Sequence, residues 1–282
     1  MKSKENVLLI IDPQNDFVDM PGAALPVAGA SEDLKRVARF IMANLKSLSK
    51  IIITLDSHRV VDVSHPTGWV DAHGKPVNPF TPISHQDVLD GKYSWTLNPQ
   101  WAKEYTAKLE ASGGKLLQHF LWPEHCIIGS WGHNVYQPLA DAVHAWERQR
   151  GGIGGAEYVT KGSNPMTEHF GAFQAQVPIE NEPGTQPRLA LLKSLNETKN
   201  LFVCGEARSH CIAASVQQML DLAPELAPKM VILTDCMSDV PNPAPEVDFS
   251  QNFKPIADRG AAMGMRFALS TDPISQVAAA VI

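Results

Sequence analysis

Short apolar runs recur along the chain, and each stops at or near a polar or glycine residue. Residues 7–11 stop at Asp12, 51–55 at Asp56, 157–160 at Lys161 and 201–204 at Gly205. Residues 230–233 stop near Asp235, and 265–269 at Ser270. Runs of this length and composition predict buried parallel strands. The period changes between them. Leu34, Val37, Ala38, Ile41, Met42, Leu45 and Leu48 form one stripe, predicting a helix with Ser31 as its N-cap. After the fourth run, Ile212, Val216, Met219 and Leu220 recur at i, i+4, i+7 and i+8. Further helices are expected over 139–150 and 255–263, the latter closed by Gly264. The alternation predicts an α/β fold over 1–282, a single domain with a parallel sheet and helices on both faces.

One stretch breaks the rhythm. Residues 66–118 carry many prolines and glycines together with Trp69, Phe80, Tyr93, Trp95 and Trp101, and little periodicity. That is too aromatic for a disordered linker. It predicts an ordered insertion that covers a site or forms a subunit interface, and a homo-oligomer is expected. Residues 179–187 and 241–245 are expected as surface loops.

Composition narrows the function. At 282 residues and 44% hydrophobic, the chain can bury one large core plus an insertion. A net charge of −6 without a basic cluster argues against nucleic acid as a partner. No apolar run approaches a membrane span, and the stretch at 7–11 is too short for a signal peptide. Cys126, Cys204, Cys211 and Cys236 show neither a CxxC pair nor disulfide-like spacing, so a reducing, cytoplasmic compartment is expected.

In an open α/β sheet, ligands bind outside the carboxyl ends of the strands. That rule brings Asp12, Asp56, Lys161 and the turn from Gly205 to Cys211 to one edge. Cys211 falls at a strand-to-helix turn, where backbone N–H groups and the helix dipole favour a thiolate and can hold an oxyanion. An acid, a cation and a thiol are the parts of a nucleophilic amidase. Asp12 would take the thiol proton and pass it to a departing amine, with Lys161 holding both groups charged. Each residue also has a bland alternative: an inert buried cysteine, a turn-stabilising aspartate, a solvated lysine. Their convergence at one edge favours chemistry.

A second constellation is Asp56-Ser57-His58, with His65 and His125 as further candidates. Residues two apart at a strand end point the same way. One carboxylate and two or three imidazoles suit Zn²⁺, Fe²⁺ or Mn²⁺, although an Asp-x-His pair alone equally suits a plain hydrogen bond. His73, His85, His119, His133, His144 and His169 read as surface or packing residues. His210 ranks below Asp12 as a base for Cys211, because adjacent residues in a turn usually diverge.

Five segments stand in an order found in nicotinamidases: LLIIDPQNDF at 8–17, TLDSH at 54–58, LWPEHC at 121–126, VTKG at 159–162 and GEARSHC at 205–211. Across nearly its whole length the chain resembles these members of the isochorismatase-like cysteine hydrolase superfamily. The resemblance implies a Rossmann-like three-layer sandwich with about six parallel strands, and an Asp12–Lys161–Cys211 triad. It implies one divalent metal ion (zinc first, then iron or manganese) held by Asp56, His58 and His125. His65 is a further candidate whose spacing matches less cleanly. It also implies an oxyanion hole from the N–H groups of Ala207 and Cys211, with a cis bond between Glu206 and Ala207. Phe17 and Trp122 would sandwich the substrate ring, and Phe170 stands where a tyrosine often lines the pocket.

The chain departs from that pattern in its greater length, in the long gap between His58 and His125, and in Arg208-Ser209 where Thr-Asp is frequent. The expected activity is metal-assisted hydrolysis of a small carboxamide such as nicotinamide, through a thioester. The alternatives are another amide or an N-carbamoyl compound, or a non-catalytic small-molecule-binding protein. Isochorismatase chemistry is disfavoured, because true isochorismatases lack the nucleophilic cysteine.

Overall fold

A computed structural model describes residues 4–111, 118–151, 154–243 and 247–279. Residues 112–117 of the insertion and 244–245 of the 241–245 loop therefore lie outside the described residues. Six strands form the central sheet: β1 (Lys4–Ile11), β2 (Lys50–Asp56), β3 (Glu157–Lys161), β4 (Thr198–Gly205), β5 (Met230–Leu233) and β6 (Arg266–Ala268). Their order is β6-β5-β4-β1-β2-β3, and every pairing is parallel. These are the six expected strands.

Alternate side chains of β1 feed opposite faces, as the strand pleat requires. Leu8 and Ile10 pack with Phe202, Leu34, Val37, Ile41, Leu139 and Trp146, beneath the helices Ala30–Ala43 and Gln137–Gln149. Leu9 and Ile11 pack with Val203, Leu192, Val216, Met219 and Ile256, beneath Leu189–Asn196, Ala213–Leu222 and Lys254–Ala262. The order reverses beside β1, which pairs with β2 on one side and β4 on the other. The crevice beyond their carboxyl ends is the natural ligand site.

Two expectations about the first helix need correction. It begins at Ala30, with Gly29 as its cap (φ 97°), not Ser31. The Asp19 carboxylate accepts from both Gly29 N (3.1 Å) and Ser31 N (2.7 Å), so a distant side chain supplies the cap. The helix also ends at Ala43. Leu45 and Leu48 continue the apolar stripe through a turn, where Leu48 still reaches the core.

The insertion has its own small core. Trp69 and Trp95 are buried, with Tyr105, Val88 and Leu109 around them, and two short helices, His85–Leu89 and Pro99–Ala111, support them. It docks on the loops behind the strand ends. Trp69 Nε1 donates to Val63 O (2.8 Å), Trp101 Nε1 to Met166 O (2.7 Å), and Glu168 N to Tyr105 Oη (3.3 Å).

Candidate active site

Strand register sets the site. Asp56 and Lys161 are paired residues at the ends of β2 and β3, so their side chains leave on the same side. Lys161 Nζ lies 2.8 Å from Asp12 Oδ2, 2.9 Å from Asp56 Oδ1 and 3.7 Å from Cys211 Sγ, and it donates to His169 O at 2.9 Å. Thr54, one pleat before Asp56, donates to Asp12 Oδ1 at 2.5 Å and accepts from Asp12 N at 3.0 Å. Both carboxylates and the cysteine thus meet around one buried ammonium.

Close approach of the strands depends on two glycines. At Gly205 (φ 119°) a Cβ would fall 2.0 Å from the Ile11 carbonyl, and at Gly162 (φ 77°) it would fall 2.9 Å from Asp56 Oδ1. Neither position tolerates a side chain. After Gly205 the Glu206–Ala207 peptide is cis, and Arg208–Ile212 forms a wide π-type turn leading into Ala213–Leu222. Cys211 sits in that turn, 5% exposed, with its carbonyl accepting from Ser215 Oγ at 2.6 Å.

Burial decides the charge states. It pushes the Asp12 carboxyl above its ordinary range, and Asp56 adds to the shift while Lys161 opposes it. It pushes the Cys211 thiol well above its ordinary range, against the pull of Lys161 and with a further push from Asp12 and Asp56. Desolvation and two facing carboxylates thus oppose the thiolate that the turn and Lys161 would favour. Burial also opposes the charge on Lys161, yet Asp12, Asp56 and Cys211 together hold the ammonium well above its usual value.

The second cluster shares Asp56. Its Oδ2 lies 3.1 Å from His58 Nε2 and 3.4 Å from His125 Nε2. His65 joins them: one ring nitrogen from each of His58, His65 and His125 lies within 4.8 Å of the other two. His65 is fully buried, and among the described residues neither of its nitrogens has a hydrogen bond of good geometry. Burial, then the charges of His58 and His125, lower its pKa to about 3. A buried, neutral imidazole facing two others and a carboxylate is a donor set that fits a divalent ion such as zinc. The Nδ1 of His125 lies 2.8 Å from Pro123 O, which leaves Nε2 as its donor atom.

Around these groups stand the aromatics. Phe17 lies 5.5 Å from the His125 ring, and it shares a buried cluster with Trp122 and Ala207. Trp122 has Phe120 at 4.7 Å, His210 at 5.1 Å and Phe170 at 6.2 Å, centroid to centroid. His210 turns into this aromatic group, 4.6 Å from Phe249, and burial lowers its pKa to about 3. All residues proposed from the sequence for the triad, the oxyanion turn, the ring pocket and the metal therefore lie at one edge.

Several neighbours went unnoticed in the sequence. Gln14 clamps the Asp56 backbone, donating to its carbonyl (2.7 Å) and accepting from its N–H (2.6 Å). Thr54, Asp62 and Phe249 are others. Gln14 lies within the motif at 8–17 and could have been found there. His169, read as packing, adjoins Lys161 through its carbonyl, and its Nδ1 accepts from Gly162 N at 3.3 Å.

The architecture is a three-layer α/β sandwich with a buried thiol, acid and lysine beside a histidine cluster. No family model matches the chain. The nicotinamidase of Saccharomyces cerevisiae is 22% identical over 228 residues, covering 81% of this chain and 85% of that protein. The solved yeast nicotinamidase superposes with a TM-score of 0.60 at 18% identity, over 93% of this chain and 99% of that one. A nicotinamidase/pyrazinamidase of Acinetobacter baumanii gives 0.59 at 18% identity, over 96% and 99%. The pyrazinamidase of Pyrococcus horikoshii, solved with zinc, gives 0.53 at 18%, over 94% and 99%. The chain thus shares the fold of these nicotinamidases and pyrazinamidases over nearly the whole length of each.

Proposed function

We propose that the chain is a metal-assisted cysteine amidase that hydrolyses a small carboxamide, nicotinamide or a close relative, to its acid and ammonia. One observation carries the reading: a single buried ammonium, Lys161, touches Asp12, Asp56 and Cys211 together. A non-catalytic binding protein would have no use for an acid and a thiol buried at such desolvation cost.

Asp12, its pKa raised by burial, is suited to accept the Cys211 proton as Sγ attacks the carboxamide carbon. Lys161 offsets the negative charge that passes between thiol and carboxylate. The N–H groups of Ala207 and Cys211 receive the oxyanion. Asp12 then returns the proton to the nitrogen, the C–N bond breaks and ammonia leaves a thioester. Water, deprotonated by Asp12, cleaves the thioester and restores the thiol. Phe17 and Trp122 hold the ring, with Phe170 completing the wall. Asp56, His58 and His125, with His65, would hold a divalent ion, which when bound supplies a Lewis-acid anchor for a polar atom of the substrate.

The test is ammonia release from nicotinamide, pyrazinamide, aliphatic amides and an N-carbamoyl amino acid, using zinc-supplied wild type and Cys211→Ala. Turnover of a ring carboxamide by wild type and none by the variant is expected. If wild type releases ammonia only from the N-carbamoyl compound, the substrate class is wrong; if from none, the amidase reading fails.

A further inference from the structure

We propose that Asp62 is a positioning residue for the metal site, fixing the tautomer and ring plane of His58 so that Nε2 faces Asp56 as a free donor atom. The inference rests on reading Asp56, His58, His65 and His125 as ligands, and is independent of which amide is cleaved.

Asp62 is fully buried, and its carboxylate makes three polar contacts among the described residues. Its Oδ2 lies 3.0 Å from His58 Nδ1, and its Oδ1 accepts from Ser64 N (3.0 Å) and Ser64 Oγ (2.8 Å). An ionised carboxylate only accepts, so the hydrogen of this contact belongs to His58 Nδ1. A ligating imidazole is neutral and keeps one N–H, so with that hydrogen on Nδ1 it is Nε2 that would offer the lone pair. That nitrogen lies 3.1 Å from Asp56 Oδ2, so a cation held by both atoms would take the place of a ring hydrogen between them. Pro123 O provides the same orientation for His125 Nδ1. Ligating histidines characteristically use the second nitrogen in this way.

The fold holds Asp62 rigidly for the task. Within its turn His65 N donates to Asp62 O (3.1 Å), and Val63 N donates to Pro165 O (2.8 Å). Trp69 Nε1 caps Val63 O, and Trp122 N donates to Ser64 O, both at 2.8 Å. The aromatic insertion therefore buttresses the residue that orients a ligand.

The experiment measures zinc affinity by competition with a chromophoric chelator, on metal-stripped wild type, Asp62→Asn and Ser64→Ala. The Asp62→Asn substitution keeps the size of the side chain, but a carboxamide cannot accept at both ends. If its amide nitrogen turns to His58, the ring hydrogen moves to Nε2 and blocks ligation. Asp62→Asn should bind zinc about 10–100-fold more weakly, and Ser64→Ala, which leaves the His58 contact in place, less than about threefold more weakly. Long-range ¹H–¹⁵N spectra of metal-stripped wild type should show His58 in contact with Asp62 through a protonated Nδ1, a signature that loss of packing would not change. If Asp62→Asn does not fold, this spectrum and Ser64→Ala still decide. Unchanged zinc affinity in Asp62→Asn, a wild-type His58 whose Nδ1 carries no hydrogen, or no zinc binding by wild type would each overturn the proposal. Absence of amide turnover with intact zinc binding would count against the amidase reading alone.

Discussion

Replacing Lys161 by methionine tests the physics of the site most directly. The lysine side chain is completely buried, and the substitution keeps an unbranched chain one atom shorter while removing the charge. Asp12 and Asp56 are left facing each other without their shared cation. Breaking a buried ion pair by removing one partner costs about 3–5 kcal/mol, because the remaining charge stays desolvated. Against a total stability of about 5–15 kcal/mol this is a large fraction. For a domain of this size the melting temperature should fall by roughly 6–20 °C. The measurement is calorimetry on metal-stripped protein near pH 7, so that no bound ion offsets Asp56. The double variant Lys161→Met/Asp12→Asn should recover about 0.5–3 kcal/mol relative to the sum of the single changes, since it removes one of the stranded charges. Both variants should lack amidase activity. A single variant melting within about 1 °C of wild type, or strict additivity in the pair, would refute the electrostatic account of the site.

Iodoacetamide should label Cys211 before Cys126, Cys204 and Cys236, because Cys211 borders the ligand crevice while the other three are fully buried; peptide mapping of native protein checks this, and equal labelling counts against it. Glu206 supplies a pH test away from the histidines. Burial, then Asp33 opposite it, raises the Glu206 carboxyl well above 4.5, so the folded state keeps a proton that the unfolded state releases. Its stabilisation is complete below about pH 4.5 and declines above that by up to about 1.4 kcal/mol per pH unit until the folded pKa is reached. Glu206→Gln should remove that decline in urea unfolding compared across pH. Trp95→Ala should destabilise the protein by about 3–5 kcal/mol in urea unfolding, because the ring fills the insertion's core and its Nε1 donates to Thr67 O.

The sheet was legible because each strand is an apolar run stopped by a polar residue or glycine, and the stopping residues are the ones at the ligand edge. Less of the helical layer could be read. Leu189–Asn196 is short and buries only Leu192 and Leu195, too few positions to establish a period. Pro99–Ala111 does bury Ala102, Tyr105, Thr106 and Leu109 at helical spacing, but the prolines and aromatics before it hid the pattern. Thr54 and Gln14 act on residues 42 positions away, a relation that strand pairing creates and no local motif announces. The push of burial on the Cys211 thiol is hidden for a similar reason. The turn is visible in the sequence, whereas the desolvation that opposes it depends on what packs around the thiol.

The same geometry explains why thiol chemistry and the histidine cluster cannot be treated as neighbours that happen to adjoin. Asp56 gives one carboxylate oxygen to Lys161 and the other to His58 and His125, while Gln14 grips its backbone from both sides. Any rotation of that carboxylate toward the histidines lengthens its contact with the lysine, and the lysine in turn sets the separation of Asp12 from Cys211. A cation held by the histidines would compete with Lys161 for the charge of Asp56, strengthening the claim of Asp12 on the ammonium. That redistribution lowers the affinity of Asp12 for a proton and makes it a weaker base, but favours the ionised acid–lysine–thiol arrangement as a whole. On the proposed function, metal occupancy and nucleophile activation would therefore be coupled through one aspartate, whose position is fixed by the register of β2 against β3.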